Sequence, residues 1–287
     1  MTNIDESRLR ELSRQYKLLP SQTIHRANIL QNSSIQDGSR ILEIGCGQGD
    51  CTSVLAFLYP NAVITAIDPG PSDYGTPETL GQAHSRIKDY DIGSRINFLH
   101  TTPTAHLESV NEGAYDVAVL CHCLWYFSSR EDVKATLKAL KTKAKKLVIA
   151  EHGLKSSSRE GDAHILAAMT RAACEAHIPD SDHNIRTPIS PADIQKICVE
   201  LGWRLMAEEW TTPHAGLEDA RWETQMLLGG GGDSDGTAFL NRAKCKIQDE
   251  RVILFLESMI ESVKSTVKEL GGQQNVRCMD VWIGIFE

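Results

Sequence analysis

The 287-residue chain has no run of eighteen consecutive apolar residues, so no segment of it reads as a membrane-spanning helix. Its first ten residues, MTNIDESRLR, carry two acids and lack the apolar centre of a signal peptide, which makes the cytoplasm the expected address. Cysteines number eight, at 46, 51, 121, 123, 174, 198, 245 and 278, but no CxxC pair occurs among them. They read as reduced thiols; Cys121 and Cys123 have the look of a metal hook, yet no metal is expected. Positive charge is also short, with 30 Lys+Arg against 38 Asp+Glu and a net charge of −8. That balance argues against a phosphate-backbone binder, and the lysines of KALKTKAKK read as a solvated helix face. The expected partner is a small molecule, not nucleic acid and not a membrane.

What is present is an apolar fraction of 41%, ample for one large core, and no internal repeat. Residues 5–18 and then 20–30 read as two helices that could form a lid over residues 1–35. From Arg40, apolar strand-like runs alternate with helical ones: RILEI, SVLAFLY, AVITAID, a helix near 77–90, INFLH, YDVAVLC, a helix over 130–140, and KLVIAEH. This rhythm predicts a doubly wound, Rossmann-like α/β sheet with a cofactor-binding core over 36–155. Helices follow near 162–177 and after Ser190-Pro191, then a strand over 203–210. Residues 214–275 form a helical insertion: a helix at 219–228, the loop GGGGDSDG, and a helical stretch over 237–270. The run VRCMDVWIGIFE, 276–287, is the expected last strand.

The stretch ILEIGCGQGD follows the first strand with Gly45, Gly47 and Gly49 at alternate positions. Glycine lets a ligand approach the backbone and the start of the next helix. A dinucleotide fingerprint would read GxGxxG; this is ExGxGxG, with Glu43 two residues before the first glycine, an arrangement suited to a cationic ligand. Asp68 ends the next strand, followed by Pro69, where a carboxylate can accept from both hydroxyls of a ribose.

Taken together, the glycine turn and the acid closing the second strand resemble the class I S-adenosylmethionine-dependent methyltransferases. INFLHTT, YDVAVLCHCLWYF and KLVIAEHG fill the places of that family's third to fifth strands, over residues 40–152. The resemblance implies a seven-stranded sheet with an antiparallel last strand and S-adenosyl-L-methionine as cofactor. It implies Glu43, Gly45, Cys46, Gly47 and Gly49 at the methionine moiety, Asp68 with Pro69 at the ribose, Thr102 of the turn 101–104 near the adenine, and Cys121 and His122 near the sulfonium. The helical pair, CLWYF, the helix opened by SPADI and the late insertion are also similar in layout to histamine N-methyltransferase. Two features depart from that enzyme: His122 stands where it carries an amide, and PSQTIHR has no acid to hold a cation.

Methyl transfer needs alignment in a dry pocket more than covalent chemistry from the enzyme. Trp125 and Tyr126 could wall the substrate, or pack in the core as Phe127 is expected to do. His122 is the first candidate for a general base and His152 the second; each could instead be a histidine satisfied by hydrogen bonds. Tyr16 could close over the cofactor, and Gln22 and His25 over the substrate. The expected function is methyl transfer to an oxygen or nitrogen of a small aromatic or heterocyclic metabolite, in the manner of secondary metabolism. Oxygen is preferred because a histidine base suits a hydroxyl and the acid expected for a cationic amine is missing from PSQTIHR. The alternatives are methylation of protein or peptide, and cofactor binding without turnover; an NAD-dependent oxidoreductase ranks last.

Overall fold

The computed structural model describes residues 6–179, 181, 183–229 and 235–287, so Asp5, at the head of the first predicted helix, and residues 230–234 of the glycine loop lie outside it. Seven strands form one sheet: β1 (Arg40–Ile44), β2 (Val63–Asp68), β3 (Ile96–His100), β4 (Tyr115–Cys121), β5 (Ala144–His152), β6 (Leu205–Thr211) and β7 (Val281–Phe286), in the order β3-β2-β1-β4-β5-β7-β6. The first five pair in parallel, and β7 runs antiparallel to both β5 and β6. This is the doubly wound sheet with an antiparallel last strand. The order reverses between β1 and β4, and ligands of open parallel sheets bind at such a switch point, at the carboxyl ends of the strands.

Alternate residues of the central strands feed different layers, as a period of two requires. Ile41, Val117, Val119 and Val148 bury with α1 (Glu6–Tyr16), α2 (Pro20–Leu30) and α3 (Asp50–Leu58), together with Ile87 of α4 (Leu80–Lys88). Leu42, Ile44, Ala118, Leu120 and Leu147 bury with α5 (Pro103–Ser109), α6 (Arg130–Lys143) and α8 (Pro191–Glu200). Cys121 belongs to the first layer and Cys123 to the second, because His122 between them has φ +53° and breaks the strand's alternation.

A third core joins α7 (Asp162–Glu175) to the insertion helices α9 (Asp219–Leu228), α10 (Thr237–Lys246) and α11 (Glu250–Glu269). The long apolar face of α11, Leu256, Ile260, Val263 and Val267, follows helical spacing and packs against α7. The predicted stretch 237–270 is thus two helices: Ile247 turns extended and the Asp249 carboxylate caps α11 through the Arg251 amide. The last strand is shorter than predicted. Residues 276–280 leave the sheet because their amides serve elsewhere, Arg277 donating to Glu160 O, Met279 to His164 Nδ1 and Asp280 to Lys155 O. Likewise β6 begins two residues late, since the indole of Trp203 is buried and donates to Leu137 O.

Candidate active site

The glycine turn between β1 and α3 is fixed by its own backbone. Gly45 and Cys46 donate to Ile67 O, Gly49 donates to Cys46 O, and Gly45, Gly47 and Gly49 all have positive φ. A Cβ on Gly45 would lie 2.5 Å from Cys123 Cβ, and one on Gly49 2.6 Å from Ile87 Cδ1; both glycines exist for packing. Gly47 differs: a Cβ there would meet nothing within 4 Å, and the residue lines a cavity of about 170 Å³.

Of the residues singled out from sequence, Gly45, Cys46, Gly47, Cys121, His122, Trp125, Tyr126 and His152 line that cavity together. His25 stands directly behind, its Nε2 3.0 Å from His122 Nε2. Gln22 lies beside it and donates to Asp219 Oδ2 at 2.5 Å. The others lie elsewhere. Tyr16 is buried against Tyr90, and its hydroxyl donates to Asp91, so it is a packing residue and not a cavity contact. Thr102 is exposed and N-caps α5, accepting from the Ala105 amide; Pro69 is exposed beyond β2. Glu43 is buried beneath the loop and accepts from Thr52 Oγ1 at 2.5 Å. Asp68 accepts from the amides of Gly47 and Gly70.

Arg26, Glu151 and His164, to which no sequence signal gave a role, line the cavity as well, as do Asp219 and Glu223 of the insertion. Arg26 falls one turn after Gln22 on α2, a spacing that could have found it. Its guanidinium makes no hydrogen bond or ion pair with a described residue, although Asp50 and Asp219 are close enough to stabilise its charge. Glu151 is buried, its Oε2 accepting from the Leu124 amide and its Oε1 from the His152 amide. His122, His152 and His164 form a row, with ring centroids 4.5 Å and 5.0 Å apart, and the Trp125 ring lies against His152 at 5.2 Å. Burial pushes all three down to about 3, helped by the charge of Arg26 at His122, and pushes His25 well below its ordinary value. The cavity therefore presents neutral imidazoles at pH 7.

A methyltransferase-domain family model matches residues 12–208, more than half of the chain. The chain belongs to this methyltransferase family. Among curated proteins, the methyltransferases phomM' and phomM of Diaporthe leptostromiformis are each 26% identical, across 84% of this chain and 71% of theirs. A cyclopropane-fatty-acyl-phospholipid synthase-like protein from Lactobacillus casei superposes with a TM-score of 0.82 at 26% identity, covering 98% of this chain and 99% of the other. A SAM-dependent methyltransferase from Archaeoglobus fulgidus shares the fold at a TM-score of 0.50 and 16% identity, over 96% and 98% of the two chains.

The methyltransferase's cofactor is S-adenosylmethionine, and the residues present fit it. Gly47 leaves open space where a side chain would stand, and Arg26 offers a free guanidinium to a carboxylate. Asp68 keeps lone pairs for ribose hydroxyls beyond those used by Gly47 and Gly70. Burial raises Glu43 to about 7, against the pull of Thr52 and Arg26. A folded-state value above the unfolded one binds extra protons, so this contribution is complete below about pH 4.5 and is lost as pH rises through about 7. The Glu43→Gln variant is expected to gain on wild type between pH 5 and pH 9, by about 2–3 kcal/mol at the alkaline end. Urea unfolding at both pH values checks this; parallel curves would refute it.

Proposed function

We propose that this methyltransferase methylates the nitrogen of a small-molecule amine, with an aromatic or heterocyclic body held by Trp125 and Tyr126. The carrying observation is Asp219, which lines the cavity together with Glu223 and the histidines. In sequence the case for oxygen is a histidine base that suits a hydroxyl and the lack of an acid in PSQTIHR, at the start of α2. The acid comes instead from the insertion: α9 brings Asp219 within reach of α2, where Gln22 donates to one of its oxygens. Glu223 pairs with Arg171, whereas Asp219 makes no ion pair with a described residue, which leaves its carboxylate for an ammonium group.

S-adenosylmethionine supplies the electrophilic methyl group. The chain's own residues do the rest. Arg26, Gly47 and Asp68 hold the cofactor, and Asp219 attracts the acceptor in its ammonium form. A nitrogen lone pair must be freed before it can attack; imidazoles held down to about 3 are too weak to take an ammonium proton, so it leaves to water, and the uncharged row of His122, His152 and His164 accepts a hydrogen bond from the amine that remains. Burial of the row keeps water from competing for the methyl group.

The test is turnover of methyl-labelled S-adenosylmethionine with matched series of aryl-alkyl amines and the corresponding alcohols and phenols. Amines are expected to be labelled and alcohols not. The Asp219→Asn variant should raise KM for amines by roughly 10- to 100-fold, the worth of one charge-assisted hydrogen bond, with a smaller change in kcat. Labelling of alcohols alone would overturn the assignment.

A further inference from the structure

Two nitrogen atoms that line the cavity, His122 Nδ1 and His152 Nδ1, are both buried without a hydrogen-bond partner among the described residues. The Glu151 carboxylate lies beside them, its Oε1 3.5 Å from His122 Nδ1. One ligand atom from each of these three residues lies within 4.8 Å of the other two. An unpaired buried polar atom costs about 1–3 kcal/mol, so two of them beside one carboxylate need a reason. A proton does not supply it: an Nδ1–H on His122 directed at Glu151 would still leave His152 Nδ1 bare.

We propose that His122, Glu151 and His152 bind a divalent cation, and that water in its open coordination position serves as the base for the methyl acceptor. Two imidazole nitrogens and one carboxylate oxygen select the zinc, cobalt and iron(II) class over magnesium or calcium, which want oxygen ligands throughout. The supporting contacts that such a site requires are already built. With Nδ1 on the cation, His122 carries its proton on Nε2 and donates it to His25 Nε2, 3.0 Å away. The Glu151 carboxylate is held by the amides of Leu124 and His152. His122 itself sits in the left-handed region at φ +53°, an uncommon conformation for a residue with a side chain.

The cation would replace no part of the methyl transfer. Hydroxide on the open position, formed because the cation would make its bound water acidic near neutrality, would take one proton from the acceptor's ammonium and become water, leaving the nitrogen lone pair for attack; nothing is oxidised or reduced. Location of the acceptor rests on the function proposed above, whereas cation binding does not.

The experiment titrates full-length, chelator-stripped protein with Co²⁺, without cofactor or acceptor, following heat and visible absorption, and measures S-adenosylhomocysteine binding on the same sample. One Co²⁺ per chain is expected, with visible bands of a nitrogen- and oxygen-ligated ion. His122→Asn and His152→Gln should each weaken it at least about 100-fold, and His25→Gln by about 10- to 100-fold, with far-UV circular dichroism unchanged. Wild-type protein that binds S-adenosylhomocysteine but no stoichiometric Co²⁺ would overturn the cation site and leave the methyltransferase reading standing. Stoichiometric Co²⁺ that survives in both His122→Asn and His152→Gln would overturn it too. Co²⁺ bound without S-adenosylhomocysteine would instead count against the cofactor assignment.

Discussion

The Gly47→Ala variant is expected to fold almost as well as wild type and to lose S-adenosylhomocysteine affinity by about 100-fold, close to 3 kcal/mol. Two facts separate this position from its neighbours. A Cβ on Gly47 meets no protein atom within 4 Å, so the only folding cost is that of an alanine at φ +50°, about 1–2 kcal/mol. The methyl group would, however, stand in the cavity where the cofactor must approach the turn. Gly45→Ala is the control with the opposite signature. Its Cβ would collide with Cys123 Cβ at 2.5 Å, at a backbone φ of +73°, so stability should fall by about 3 kcal/mol or more. Thermal melts and calorimetric titration on both variants decide the matter. Wild-type affinity in Gly47→Ala would mean that the turn does not cradle the cofactor.

That contrast between two glycines two residues apart was not legible in the sequence, although the turn itself was. Strand and helix periods, the glycine spacing and the acid ending β2 are local signals, and they put the turn and Asp68 in the elements predicted for them. Residues at the ends of β4 and β5 were legible for the same reason: in a parallel sheet the carboxyl ends of adjacent strands lie side by side, so His122 and His152 must be neighbours. Asp219 was not, because nothing local says which way an insertion helix folds back. It reaches the cavity only because α9 shares a core with α7, which in turn follows β5. Tyr16 fails for the converse reason: helical spacing put it on the lid, but its hydroxyl found Asp91 before any cavity.

Replacing His122 with Asn is expected to lower kcat by about 100- to 10,000-fold while S-adenosylhomocysteine affinity stays within about tenfold of wild type. Asparagine is chosen because it tolerates the left-handed backbone that His122 adopts at φ +53°, so the turn after β4 keeps its hydrogen bond from the residue 122 amide to Ala150 O. What it removes is the ring that bridges His25, 3.0 Å away, to Glu151, 3.5 Å away. The loss falls on the chemical step because burial keeps this imidazole uncharged at neutral pH, with its unpaired Nδ1 available to a cation or to a hydrogen bond from the acceptor. Chelation separates these two roles. If the ring acts through a bound cation, stripping metal from wild type should bring its kcat down to the variant's level, and added Zn²⁺ should restore wild type alone. If the ring accepts that hydrogen bond instead, chelation leaves wild type unchanged and only the substitution slows it. Turnover of His122→Asn at the wild-type rate would remove His122 from the reaction altogether and leave Asp219 and Arg26 as the residues that define the site.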